Sequence, residues 1–155
     1  NSAVETVTRL LDMGCDSFNF ADAMLGVLAM RLCKRICSHC KEEYHPTPQE
    51  FDELVQGYGA RHWEKLGVTY TEDLRLSRGK GCEVCNQTGF KGRVALHELL
   101  VGSEEITNLI QSRARTSEIL AVAMRDGMVT LLQDGIQKVL KGLTTYRQVR
   151  AVAVK

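Results

Sequence analysis

The sequence predicts a mainly helical chain interrupted by a small, zinc-bound tetracysteine subdomain that contains short β-strands. Three observations carry this. Cys37/Cys40 and Cys82/Cys85 both have the Cys-x-x-Cys spacing; capped, helix-periodic apolar patterns fill much of the remainder; and residues 74–76 and 93–101 read as strands. Each Cys-x-x-Cys bends the chain so that two sulfurs face one point. Two such pairs supply the four soft ligands of a closed tetrahedral zinc site, which leaves no position for water or substrate and is therefore structural.

Other uses of these cysteines fit less well. A redox dithiol needs one pair at a helix start, and disulfides need an oxidising compartment, whereas no signal-peptide pattern occurs here. Chance pairing among six cysteines is the remaining alternative. His39 and His45 are substitutes for one sulfur, while Cys15 and Cys33 lie outside both pairs and read as packing residues, Cys33 on a helix. The glycines around Cys82 and Cys85 suit a tight knuckle whose N–H groups point at thiolates. Arg31, Lys34, Arg35, Lys41, Arg78, Lys80, Lys91 and Arg93 flank the two knuckles and would partly offset a four-thiolate site of about −2 formal charge. Residues 41–81 separate the pairs, more than the ~15–20 of a compact zinc ribbon, so the metal closes a subdomain.

Taken in order, Ser2-Ala3-Val4-Glu5 is a capping box, followed by a helix with Val4, Val7, Leu10 and Leu11 on one face and Gly14 at its end. Ser17 or Asn19 caps a second helix through residues 21–32, apolar nearly all round and so expected to be buried, which leads into the first knuckle. Thr47-Pro48-Gln49-Glu50 opens a third helix carrying Phe51, Leu54, Val55 and Tyr58. Beyond the strand at 93–101, Ser103, then Thr116 or Ser117, then Thr130, then Thr144 or Thr145 start four short helices, which predict a bundle-like tail. The expected division is 1–35 helical, 36–98 tetracysteine subdomain, 99–155 helical.

Composition bounds the rest. A chain of 155 residues buries one sizeable core or two small ones, and a formal charge of +1 gives no general drive toward nucleic acid or membrane. The apolar run at 23–30 is too short to span a bilayer. Unpaired cysteines without an export signal point to a reducing cytosol. The chain starts at Asn1, directly before a helix cap, and reads as a piece of a longer protein. No phosphate-binding Gly-x-x-x-x-Gly-Lys-[Ser/Thr], His-Glu-x-x-His or Gly-x-Ser-x-Gly occurs. Glu42/Glu43 and Glu104/Glu105 read as solvated or helix-dipole carboxylates, not as an acid/base pair. Asn86-Gln87-Thr88 is an accidental glycosylation sequon. From the residues alone, the chain is a zinc-stabilised interaction module with no catalytic residues and no bound cofactor other than the metal.

Several stretches together resemble the type II secretion and type IV pilus assembly ATPases (the GspE/PilB family). They are Arg9-Leu10-Leu11-Asp12-Met13-Gly14, Leu25-Gly26-Val27-Leu28-Ala29-Met30-Arg31-Leu32, the two cysteine pairs, Thr88-Gly89-Phe90-x-Gly92-Arg93, His97-Glu98-Leu99-Leu100 and Asp126-Gly127-Met128-x-Thr130-Leu131. Asp134-Gly135-Ile136 and Gly142-Leu143-Thr144-Thr145 continue the likeness. The resemblance implies a C-terminal fragment of a RecA-like secretion ATPase, with Asn1 just after the family's histidine box and every catalytic motif upstream. It implies that Cys37, Cys40, Cys82 and Cys85 bind zinc. The whole protein is then a cytoplasmic hexamer that uses ATP and Mg2+ at the inner face of the bacterial inner membrane and acts on a membrane platform protein. The fragment alone is expected to be inactive. Two other readings stand beside it: a free-standing zinc adaptor that binds protein or nucleic acid, and a redox-controlled module. Only Phe90 lies near a knuckle for base stacking, which argues against nucleic acid.

Overall fold

The computed structural model describes residues 2–153, so the expectation for Asn1 lies outside the described residues. The chain divides into two compact units. One comprises Asn1–Met30 with His97–Leu131; the other comprises Arg31–Leu96 with Leu132–Lys155.

The first unit is built on α1 (Ala3–Asp12), where the expected capping box forms: Glu5 N–H donates to Ser2 Oγ and Ser2 N–H to a Glu5 carboxylate oxygen. Its inward face carries Val4, Val7 and Leu11. Helices α2 (Ser17–Ala23), α5 (Glu104–Gln111) and α6 (Thr116–Arg125) complete the unit around Ile106, Ile110, Ile119 and Leu100. The α5 cap is Ser103, as the sequence predicts. The residue preceding α6 is Arg115, which makes no side-chain cap, in place of the predicted Thr116 or Ser117.

The predicted helix over 21–32 does not form. Asp16, not Ser17 or Asn19, caps α2, which stops at Ala23, and Gly26–Ile36 is a strand, β1. Its partner is β4 (Phe90–Val101), the strand the sequence did predict. A run of leucine, alanine and methionine has no periodicity that separates helix from strand, so the partner decides. Gly26 marks the choice, because a Cβ there would stand 2.9 Å from the Leu100 carbonyl oxygen. Nor is the run buried as expected: Leu25 is 91% exposed, Leu28 59% and Met30 49%. Cys33 is buried as expected, but on β1 and not on a helix, and Cys15 is exposed instead of packed.

The second unit holds β2 (Lys41–Tyr44), β3 (Leu76–Gly79), α3 (Pro48–Tyr58), α4 (Ala60–Trp63), α7 (Leu131–Leu140, all but its first residue) and α8 (Tyr146–Val152). The Thr47 capping box forms as predicted, with Pro48 in the first turn of α3. The strands β2 and β3 pair antiparallel, Lys41 with Gly79 and Tyr44 with Leu76. A chain of ring contacts, His45–Tyr70–Phe51–Trp63–Tyr58, fills the segment between the cysteine pairs, with centroids 5.2–5.7 Å apart. Trp63 Nε1–H donates to the Val68 carbonyl, and Tyr70 O–H donates to that of Pro46, just before α3. Thr145 caps α8, and Thr144, fully buried, donates to the Lys34 carbonyl. Of the four C-terminal helices, α5 and α6 fall in the first unit and α7 and α8 in the second. Among the described residues, no helix is long and apolar enough to cross a membrane.

Candidate metal centre

Strand β1 delivers the chain to Cys37, and β2 leaves directly after Cys40. On the other side β3 ends at Gly79, and Cys82–Cys85 folds as a tight 3-10 turn before β4 begins. The two knuckles are stapled by backbone on both flanks: Cys37 N–H donates to the Gly89 carbonyl (2.9 Å) and Lys80 N–H to that of Cys40 (3.1 Å). Two glycines permit this approach. A Cβ on Gly79 would stand 2.0 Å from the Gly89 oxygen, and Gly89 itself has φ +81°. Asn86 and Gln87, at φ 54° and 64°, turn the chain out of the second knuckle through the left-handed region, which asparagine tolerates better than other non-glycine residues.

All four predicted sulfurs converge, lying within 4.8 Å of one another. The contacts Cys37–Cys82 and Cys40–Cys85 are 3.8 Å and Cys82–Cys85 is 3.7 Å. A tetrahedron with metal–sulfur bonds of about 2.3 Å has edges of about 3.8 Å, so the donor set fits a four-coordinate thiolate-bound ion. His45 is engaged elsewhere, through Nε2 and the Thr71 carbonyl oxygen (2.9 Å), and neither it nor His39 joins the cluster. Among the described residues, this is the one cluster of histidine, cysteine and carboxylate groups arranged to hold a metal.

Backbone donors surround the sulfurs, as the glycine-rich second knuckle predicts. Gly81 N–H points at Cys40 Sγ (3.3 Å), and the N–H groups of Cys82 and Gly89 point at Cys85 Sγ (3.3 and 3.2 Å). Desolvation pushes the Cys85 thiol up, but those two N–H groups and the thiols of Cys82 and Cys40 outweigh it and bring the pKa down to about 6. Cys40 goes the other way, to about 11. Desolvation dominates there, the Gly81 N–H opposes it, and the thiols of Cys85, Cys82 and Cys37 add to the rise. The quartet thus contains one sulfur poised as a thiolate and one that holds its proton until a cation displaces it.

Two of the flanking cations make defined contacts beside the site. Arg78 pairs with Glu42 (3.0 Å) and stacks on Tyr44, and Lys91 Nζ donates to the Val84 carbonyl. Glu105 pairs with Arg125, and Glu104 and Glu105 lie in the first turn of α5. Sequence reasoning gave no role to Glu98. It is 2% exposed, and its two carboxylate oxygens accept from Ala3 N–H (2.7 Å) and Leu131 N–H (2.9 Å), the first residues of α1 and α7. An acid alternating with leucines on a strand was the available signal.

A family profile described as type II/IV secretion system protein matches residues 1–151. The type IV pilus assembly ATPase PilB of Thermus thermophilus is 41% identical over the full chain. The type II secretion system protein E of Pseudomonas aeruginosa is 36% identical over 98% of the chain, and the type II secretion system ATPase E of Vibrio cholerae is 34% identical over 98%. The chain spans 16% of the first relative's length and 28% of each of the other two.

Proposed function

The chain belongs to the type II/IV secretion system protein family, and from that premise we propose that it is the zinc-clamped, force-coupling part of a longer motor. In this reading ATP and Mg2+ are used elsewhere in the polypeptide, and no residue described here is catalytic. The whole protein is a cytoplasmic hexamer at the inner face of the bacterial inner membrane. It drives protein secretion or pilus assembly through a platform protein, and the names of its relatives accommodate both outcomes.

The observation that carries the proposal is the quartet of sulfurs within 4.8 Å of one another, with three separations at tetrahedral edge length and backbone joining both flanks. Zinc suits four thiolates in a closed tetrahedral site, and there it supplies a cross-link instead of reactivity. Hydrolysis does work only when the loaded elements are stiff and make different contacts in two states. A clamp at Cys37, Cys40, Cys82 and Cys85 stiffens residues 36–98, the zinc subdomain in this scheme. Residues 1–35 contribute to the ATPase lobe and 99–155 form the terminal helical part.

The test uses the full-length protein with Cys37→Ser and Cys40→Ser. Elemental analysis should find zinc in the parent and none in the variant. Nucleotide binding should persist while secretion or piliation is lost. A parent without zinc refutes the metal assignment, and a zinc-free variant with normal secretion or piliation refutes the coupling role.

A further inference from the structure

The second unit carries a groove whose lining includes none of the four clustered cysteines. Two cavities, of about 470 and 400 Å³, share Glu53 on α3 and Tyr146 and Arg150 on α8. The larger is floored by Leu54, Leu76 and Val139, and the smaller reaches Leu132 and Ala153. Tyr146 is seated between the helices by Gly57, where a Cβ would stand only 2.2 Å from the phenol oxygen. The Arg150 guanidinium lies 5.8 Å from the Tyr146 ring centre, within cation–π range. Arg147, one helical turn before Arg150, lines the larger cavity, and neither arginine has an ion pair among the described residues.

We infer that this groove is a peptide-docking site for a linear segment of a partner protein in which one carboxylate lies between two apolar side chains. Each cavity takes one apolar side chain. The carboxylate meets Arg150, which both cavities share, with Arg147 beside it, in the planar geometry that guanidinium groups favour. Tyrosine and arginine around an apolar floor are the residue types that anchor protein interfaces. Glu50 and Glu53 of α3 line the same groove and disfavour a phosphate backbone or a polyacidic chain, so the site selects a single acid. None of the four clustered cysteines lines either cavity, so the inference stands apart from the metal reading.

The probe is a fluorescein-labelled peptide containing Leu-Ser-Glu-Ser-Leu, whose alternation places the three side chains on one side of an extended strand. Binding to the zinc-loaded full-length protein is read by anisotropy, against the same peptide with lysine for glutamate. The glutamate peptide should bind at least about tenfold tighter, and the double variant Arg147→Glu/Arg150→Glu should reverse that preference. Reversal is a readout that a structural role would not produce. Both arginines are exposed, so zinc content and circular dichroism should be unchanged in the variant. In the parent, peptide-induced NMR shifts should centre on Leu76, Val139 and Tyr146. The inference is overturned by equal affinity for the two peptides, by shifts centred elsewhere, or by no saturation up to about 1 mM.

Discussion

Replacing Cys82 and Cys85 by serine in the zinc-loaded protein should release the clamp and destabilise the second unit by about 4 kcal/mol. The magnitude follows from the loop that the metal closes. Cys37 and Cys82 are 45 residues apart, and constraining a loop of that length removes about 4 kcal/mol of unfolded-chain entropy at 25 °C. Serine is close to cysteine in size, so the packing loss is small beside this term. What remains to hold the region is the four-pair ladder of β2 with β3, the aromatic chain through Phe51 and Trp63, and the backbone staples. At about 4–8 °C per kcal/mol for a unit of this size, the melting transition should fall by about 15–30 °C. Differential scanning calorimetry reads the shift, and hydrogen exchange locates it. The Cys37 and Lys80 amides, bonded to Gly89 and Cys40, should lose protection, while the Ile106 and Ile110 amides of α5 keep theirs. A serine variant that melts within about 3 °C of the parent, less than 1 kcal/mol on this scale, refutes the clamp argument.

Glu98→Ala should cost about 2–4 kcal/mol in urea unfolding. It removes a buried carboxylate that serves two helix N-termini, and charge-assisted bonds contribute about 1.5–3 kcal/mol each. Glu98→Gln, which keeps an acceptor, should lose less; equal stability of both variants with the parent excludes the double-cap role. Gly79→Ala should destabilise by about 1–3 kcal/mol and weaken metal affinity, because the added Cβ meets the Gly89 backbone and not a movable side chain. Chemical denaturation and competition with a zinc-chelating dye measure the two effects, and a neutral result would mean the knuckles do not need this approach. Zinc affinity should rise with pH between 6 and 8. Cys40, pushed up to about 11, stays protonated throughout that window and must lose its proton to bind, whereas Cys85, near 6, is already largely thiolate by pH 7. The sign is that metal-linked stability is present at high pH and lost as pH falls. The dye titration should give at least about a tenfold gain in affinity per pH unit, and a flat profile contradicts it.

The legibility of the molecule in its sequence divides along physical lines. The two cysteine pairs could be read as one site because Cys-x-x-Cys is a local constraint: each pair aims its own sulfurs, and four soft ligands need a common ion. The caps at Ser2, Thr47 and Ser103 were equally readable, since a side chain and an N–H group three residues apart complete the interaction alone. The Gly81 and Gly89 donors followed from the glycine-rich knuckle.

Residues 26–36 were not readable in this way. An apolar run of leucine, alanine and methionine satisfies helix and strand alike, and the choice fell to β4, a partner more than fifty residues along the chain. The same holds for Glu98, whose carboxylate has meaning only because Ala3 and Leu131 meet at it, and for the groove at Tyr146, whose walls come from distant helices. Local pattern was therefore enough for the pairing of the four cysteines, the helix caps at Ser2, Thr47 and Ser103, and the family. Tertiary structure alone decided which apolar segment became a strand, which acid was buried and where a groove opened, because those outcomes depend on hydrogen bonds and packing between residues that no local pattern brings together.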